Sequence, residues 1–226
     1  MKKKERAAAF LALLKKRYPA PATHLDARTP WELLVATVLA AQCTDERVNK
    51  VTPGLFRRWP GPAELAQALQ GEVEEVVHST GFYRNKAKNL IAAADMVTRL
   101  HGGQVPRTMD ELTALPGLAR KTANIVLWGG YGINEGLAVD THVKRIAFRM
   151  GFTASDNPVV VEKDLMPLFP RAEWGDVNHR MVWFGRHVCD ARKPLCHECE
   201  MFDFCPRKGV QGKKTAARAS ARKAGV

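Results

Sequence analysis

Four of the five cysteines fall within seventeen residues, as Cys189-x6-Cys196-x2-Cys199-x5-Cys205. Four thiolates in one short stretch can hold a single zinc ion or a 4Fe–4S cubane. Zinc sites usually draw their ligands from two close pairs. Here only Cys196 and Cys199 are close, and the wider outer intervals suit a larger body with four corners. Without a secretion signal, such clustering points to a metal site rather than a disulfide framework. Cys43 stands apart and reads as a small buried residue.

A second kind of chemistry is suggested by Lys121. Residues 112–128 read as a short amphipathic helix ending at Pro116-Gly117, followed at once by another helix. Lys121 would sit in the first turn of that second helix. The positive end of the helix dipole and the neighbouring Arg120 both disfavour a protonated amine there. More of a neutral, nucleophilic lysine is then available near neutral pH. Downstream, Asp140 follows Leu-Ala-Val and precedes a helical pattern, the position of an N-cap. Backbone N–H donors keep a capping carboxylate ionised, so Asp140 can both cap a helix and stabilise nearby positive charge.

The elements that must position these groups are helical nearly throughout. Apolar residues recur at helical spacing in Trp31, Leu34, Val35, Val38 and Leu39, and again in Leu90, Ala93, Ala94 and Val97. No stretch alternates as a strand would. Turn signals at short intervals, Gly129–Gly132 among them, imply about ten short helices, and the turn cluster around Gly129–Gly136 is the best candidate for a change of domain. The N-terminal run of Lys2–Lys4 and then Ala7–Leu14 mimics a signal peptide. Lys15, Lys16 and Arg17 stand where a small-residue cleavage site belongs, so an amphipathic helix and a cytoplasmic protein are expected.

The net charge of +12 is uneven. Residues 1–17 carry +6 and residues 207–226 carry +7, leaving −1 for the body between them. A polyanionic partner is implied, met by the body through a local face. The tail from residue 207 is rich in Ala, Lys and Arg, and is expected to be disordered. No apolar run approaches membrane-spanning length.

The cysteine spacing, the Leu-Pro-Gly-x-small hairpin before Lys121 and the Val-Asp-Thr-His-Val string at 139–143 together resemble the endonuclease III family of DNA-repair enzymes. The resemblance runs from about Trp31 to Cys205. It implies an all-α fold of two helical domains with a cleft between them, a helix-hairpin-helix motif and a C-terminal 4Fe–4S cluster loop. The central domain would be residues 22–132. Residues 1–21 would join 133–226 as the iron–sulfur domain and bring both basic ends into it.

The same resemblance implies one 4Fe–4S cluster on Cys189, Cys196, Cys199 and Cys205. It implies Lys121 as nucleophile and Asp140 as the essential carboxylate. The loop between Cys189 and Cys196 would present Arg192 and Lys193 to phosphates; by residue type alone they are simply a solvated loop. Gly117 and Ala119 would contact the backbone, although the usual motif has glycine where Ala119 stands. Alone, this hairpin is equally an ordinary helical corner. Gln42, in Ala-Ala-Gln-Cys-Thr-Asp, matches the glutamine that enters the gap left by an extruded nucleotide. Phe82 replaces the more typical leucine wedge and is otherwise a core aromatic; Arg84, Lys86 and Lys88 after it suggest a phosphate-facing loop. His142 is placed near DNA, against a packing or surface role.

The implied function is excision of oxidised pyrimidines from double-stranded DNA and nicking of the abasic site by β-elimination, by a monomer without a membrane partner. Alternatives are a glycosylase for mispaired adenine, which lacks the lysine, a non-enzymatic DNA-binding module with a structural metal, and an electron carrier.

Overall fold

The computed structural model describes residues 1–21 and 23–210. The described residues form α1 (Lys3–Arg17), α2 (Pro30–Leu39), α3 (Asp45–Arg58), α4 (Pro62–Ala66), α5 (Gln70–Val77), α6 (Tyr83–Leu100), α7 (Met109–Ala114), α8 (Arg120–Tyr131), α9 (Thr141–Arg149), α10 (Pro158–Leu165) and α11 (Trp174–His187). Short 3-10 turns link several of them, and no strand occurs among the described residues. No helix among them is long and apolar enough to cross a membrane.

Helix starts follow capping chemistry. The side chains of Thr29, Thr44, Thr108, Asp140 and Asn157 each accept from a first-turn amide, and Pro30 and Pro158 occupy first helical positions where no N–H is needed. The chain divides into two compact units: Ala22–Ala138, and Met1–Pro21 with Val139–Val226.

The first unit buries one core from Leu25 to Leu127. Helix α6 supplies Leu90, Ala93, Ala94 and Val97 to it, and α2 packs along α8. That packing explains Gly129 and Gly130, which lie inside α8 rather than in the turn expected there. A Cβ on Gly129 would stand 2.7 Å from Leu33 Cδ2, and one on Gly130 would stand 3.1 Å from Pro30 Cβ. The helix ends instead at Gly132, at φ 67°. Gly132 N–H donates to Trp128 O at 2.8 Å, the 5→1 bond of an αL cap, and Ile133 N–H donates to Leu127 O at 3.0 Å.

The second unit is built on α1, α9, α10 and α11. Helix α1 buries Ala7, Phe10, Leu11 and Leu14, the i, i+4, i+7 stripe of an amphipathic helix. Phe10 packs edge-on against Phe152 and Phe184, with ring centroids 5.6 and 6.0 Å apart. Lys15 pairs with Glu173 at 2.5 Å, and the buried Arg180 donates to Tyr18 O at 3.1 Å and Glu173 at 3.0 Å. Residues 207–210, expected to belong to a disordered tail, form a turn instead. Lys208 N–H donates to Arg149 O at 3.2 Å and Arg207 to Phe202 O at 2.5 Å. Residues 211–226, the rest of that tail, lie outside the described residues.

Candidate active site and iron–sulfur centre

The loop between α7 and α8 is shaped by Gly117. Its φ of +80° lies in the left-handed region, and a Cβ there would meet Asn89 Cβ at 2.9 Å. Leu112, Leu115 and Leu118 are buried and anchor the hairpin to the core. Ala119 holds the N-cap position of α8 at φ −94°, ψ 164°, a conformation any L residue adopts, so the methyl group in place of glycine introduces no backbone strain. No side chain caps α8. Its first-turn amides, which have no acceptors within the helix, are positioned for an anion. Arg120 and Lys121 are exposed at this end.

Asp140 is the N-cap of α9, where its Oδ1 accepts from Val143 N–H at 2.8 Å. One turn on, His142 Nδ1 lies 3.1 Å from Arg145 Nη2. Burial pushes the His142 pKa down, Asp140 opposes this and Arg145 adds to it. The imidazole is therefore neutral at pH 7. Arg145 also donates to Cys189 O at 3.0 Å and Gly185 O at 2.9 Å.

Arg149 closes the same helix. It is 8% exposed and donates to Cys189 Sγ at 3.3 Å, Asp190 O at 2.6 Å and Ala191 O at 2.8 Å. Asp190 Oδ1 in turn accepts from Arg192 and Lys193 N–H, both at 2.8 Å, which holds its carboxyl below its usual range and leaves both basic side chains exposed. Leu195 N–H donates to Val188 O at 2.9 Å and closes the loop.

Cys189, Cys196, Cys199 and Cys205 line one pocket. Among the described residues no three His, Cys, Asp or Glu side chains close on a single ion. Ile146, Phe184, Val188, Leu195, Met201 and Phe202 make the rest of the pocket wall apolar, and Arg149 and Arg207 supply positive charge. Burial raises the thiols of Cys196 and Cys205 above their ordinary pKa and that of Cys199 to about 11. The protein alone therefore disfavours thiolates here. A cationic iron–sulfur core would supply the missing stabilisation, and a largely apolar pocket lined by four cysteines and two arginines fits it.

The gap-filling candidates lie on two loops of the Ala22–Ala138 unit. Gln42 and Phe82 are exposed, Phe82 by 63%, so Phe82 is not a core aromatic. With Arg207 they are the non-glycine residues at positive φ among those described, at 54° and 48°. Lys86, expected to face phosphate, is instead 5% exposed, with its Nζ 2.8 Å from both Leu39 O and Thr80 O. Sequence reasoning missed it and Arg149. The one available signal was a basic residue within an apolar helical period: Lys86 beside Ala87 and Leu90, Arg149 between Ile146 and Met150.

An all-helical chain with an uncapped hairpin helix and a four-cysteine pocket falls in the helix-hairpin-helix class of base-excision repair proteins. Residues 35–171 match the HhH-GPD superfamily base excision DNA repair protein, and residues 189–205 match the iron–sulfur binding domain of endonuclease III. The chain is 52% identical to the endonuclease III of Synechocystis sp., over 90% of this chain and 93% of the relative. It is 40% identical to that of Bacillus subtilis, over 87% and 90%. A solved non-covalent endonuclease III–DNA complex superposes with a TM-score of 0.87 at 41% identity, covering 92% of this chain and 97% of the other. A trapped endonuclease III–DNA covalent intermediate matches with the same TM-score and coverage at 42% identity. The chain belongs to the endonuclease III family. It is a bifunctional DNA glycosylase and abasic-site lyase of base excision repair and carries one 4Fe–4S cluster.

Proposed function

We propose that this enzyme excises oxidised pyrimidines from duplex DNA and nicks abasic sites with Lys121 as nucleophile and Asp140 as the assisting carboxylate. The observation that carries this reading is the placement of Lys121. It is exposed in the first turn of a helix whose N-terminus has no side-chain cap, directly after the Gly117 turn. The amides of that turn hold a phosphate while the amine reaches the adjacent sugar.

The nucleotide leaves the stack, and Gln42 and Phe82 fill the space. The Lys121 lone pair bonds to C1′ as the glycosidic bond breaks, and the base leaves with that electron pair and takes up a proton. Asp140, held ionised by its capping bond, helps activate the amine and stabilises the cationic sugar. Ring opening gives the Schiff base. Loss of a proton from C2′ then expels the 3′ phosphate, and hydrolysis frees Lys121. The matched covalent endonuclease III–DNA intermediate supports a bond between such an enzyme and DNA. Arg192 and Lys193 meet phosphates from the cluster loop, with neutral His142 nearby as a hydrogen-bonding group. The cluster, held by the four cysteines, fixes that loop and takes no part in the steps. The enzyme works as a monomer in the cytoplasm, on the nucleoid.

Incision assays on duplexes carrying thymine glycol, dihydrouracil or an abasic site, with and without borohydride, test the reading. The unaltered enzyme gives nicked product and a borohydride-trapped adduct. Lys121→Gln gives neither while still retarding DNA. Full cleavage by Lys121→Gln overturns the assignment.

A further inference from the structure

Lys86 places an ammonium group in the interior with no carboxylate bonded to it. Its Nζ donates to two backbone carbonyls, Leu39 O and Thr80 O, each at 2.8 Å. Leu39 is the last residue of α2, and Thr80 ends the 3-10 turn His78–Thr80. Carbonyls at helix ends lack intrahelical donors and carry the negative end of the dipole, so one lysine satisfies two chain ends at once. Burying a charge is costly, and desolvation indeed lowers the Lys86 pKa. A methionine would fill the same space but leave both carbonyls without a donor, so the ammonium serves to join them rather than to pack.

What it joins is specific. Gln42 lies three residues beyond Leu39 and Phe82 two residues beyond Thr80. Both are exposed and both sit in the left-handed region, which is unfavourable for a non-glycine residue. Neither conformation persists unless its surroundings hold it. The Lys86 backbone contributes as well: its N–H donates to Phe82 O at 3.1 Å, so the first turn of α6 closes on the wedge residue itself. No side chain caps that helix.

We infer that Lys86 is a positioning residue for nucleotide extrusion, which locks the Gln42 and Phe82 loops to each other so that both tips enter the duplex as one rigid unit. The inference rests on the reading of Gln42 and Phe82 as gap-filling residues. Single-turnover base release is measured for a thymine glycol in a fully paired duplex and for the same lesion inside a bubble of unpaired bases. The ratio of the two rates reports extrusion rather than chemistry.

Lys86→Met is expected to lower the paired-duplex rate by about tenfold more than the bubble rate, with Lys86→Arg recovering part of the ratio. In a Phe82→Ala background the Lys86→Met effect should largely vanish, since the lysine acts through that side chain. An equal loss on both substrates, or full additivity with Phe82→Ala, overturns the inference. The parent reading fails separately: then Phe82→Ala and Gln42→Ala leave the ratio unchanged. Should Lys86→Met not fold, hydrogen exchange of the unaltered enzyme decides. The amides of Cys43 and Gly81, bonded to Ala40 O and His78 O, open together if the loops form one unit. Independent opening overturns the proposal.

Discussion

Arg149 donates to Cys189 Sγ at 3.3 Å while its other donors hold Asp190 O and Ala191 O, so one buried guanidinium ties the last turn of α9 to the first cysteine of the pocket and to the loop beyond it. Arg145, one turn earlier, holds Cys189 O and stands beside His142. Helix α9 thus begins at Asp140 and ends at the cluster pocket.

Arg149→Met keeps most of the volume and removes every donor. Several carbonyls are then left buried without partners, and the net loss is about 3 kcal/mol. For a chain of this size that lowers the melting temperature by roughly 6–12 °C. The visible absorbance of the cluster should also bleach faster on exposure to a chelator. A melting temperature and bleaching rate equal to those of the unaltered enzyme would show that the loop holds itself.

The hairpin makes a paired prediction. Gly117→Ala combines a positive φ with a contact of 2.9 Å to Asn89 Cβ. The left-handed conformation alone costs about 1–2 kcal/mol, and the clash displaces the first-turn amides of α8 that are proposed to hold phosphate. Affinity for an abasic-site duplex should fall, with a shallower salt dependence as phosphate contacts are lost. Ala119→Gly, at an ordinary φ of −94°, should shift stability by no more than about 0.5 kcal/mol and leave affinity as it was. Equal effects from the two substitutions would contradict the geometry.

The pH dependence follows from His142. Burial, against the pull of Asp140 and with the help of Arg145, lowers its pKa in the folded state below the ordinary imidazole value. The unfolded chain then binds the proton more readily. This group contributes stability above the unfolded pKa and loses it as pH falls from about 6.5 through the lower folded value. His142→Asn cannot titrate, so its melting temperature should decline less steeply than that of the unaltered enzyme between about pH 7 and pH 5. A steeper decline in the variant would reverse the sign and show that a charged imidazole is stabilised in the fold.

Much of this was legible in the chain itself, for local reasons. Cysteine spacing is set by the body the cysteines surround, and Asp140 marks a helix start because capping needs only neighbouring amides. What was not legible depends on partners distant in sequence. Gly129 and Gly130 look like a turn until Leu33 and Pro30 pack against them. Lys86 looks like one more basic residue after Phe82 until the carbonyl of Leu39, 47 residues away, is found at its tip. Residues 207–210 look like tail until Arg149 O accepts from Lys208. Positive φ at Gln42 and Phe82 has no local signature either, because neither residue type prefers it.

The contact between α2 and α8 allows a test in which two effects oppose each other. Alanine in place of Gly129 gains about 1 kcal/mol of helix propensity. It also sets a methyl group 2.7 Å from Leu33 Cδ2, and Leu33 is itself buried, so that side chain has little room to move aside. Overpacking of this kind costs about 1–3 kcal/mol, so Gly129→Ala should be destabilising despite its better propensity. Leu33→Ala removes the obstructing methyl and leaves a cavity, costing about 2–5 kcal/mol on its own. In that background the clash is gone and the propensity gain remains, so adding Gly129→Ala should now stabilise. Chemical denaturation of the four proteins measures the cycle. A Gly129→Ala effect of the same sign in both backgrounds would mean that Leu33 is not what keeps this position small.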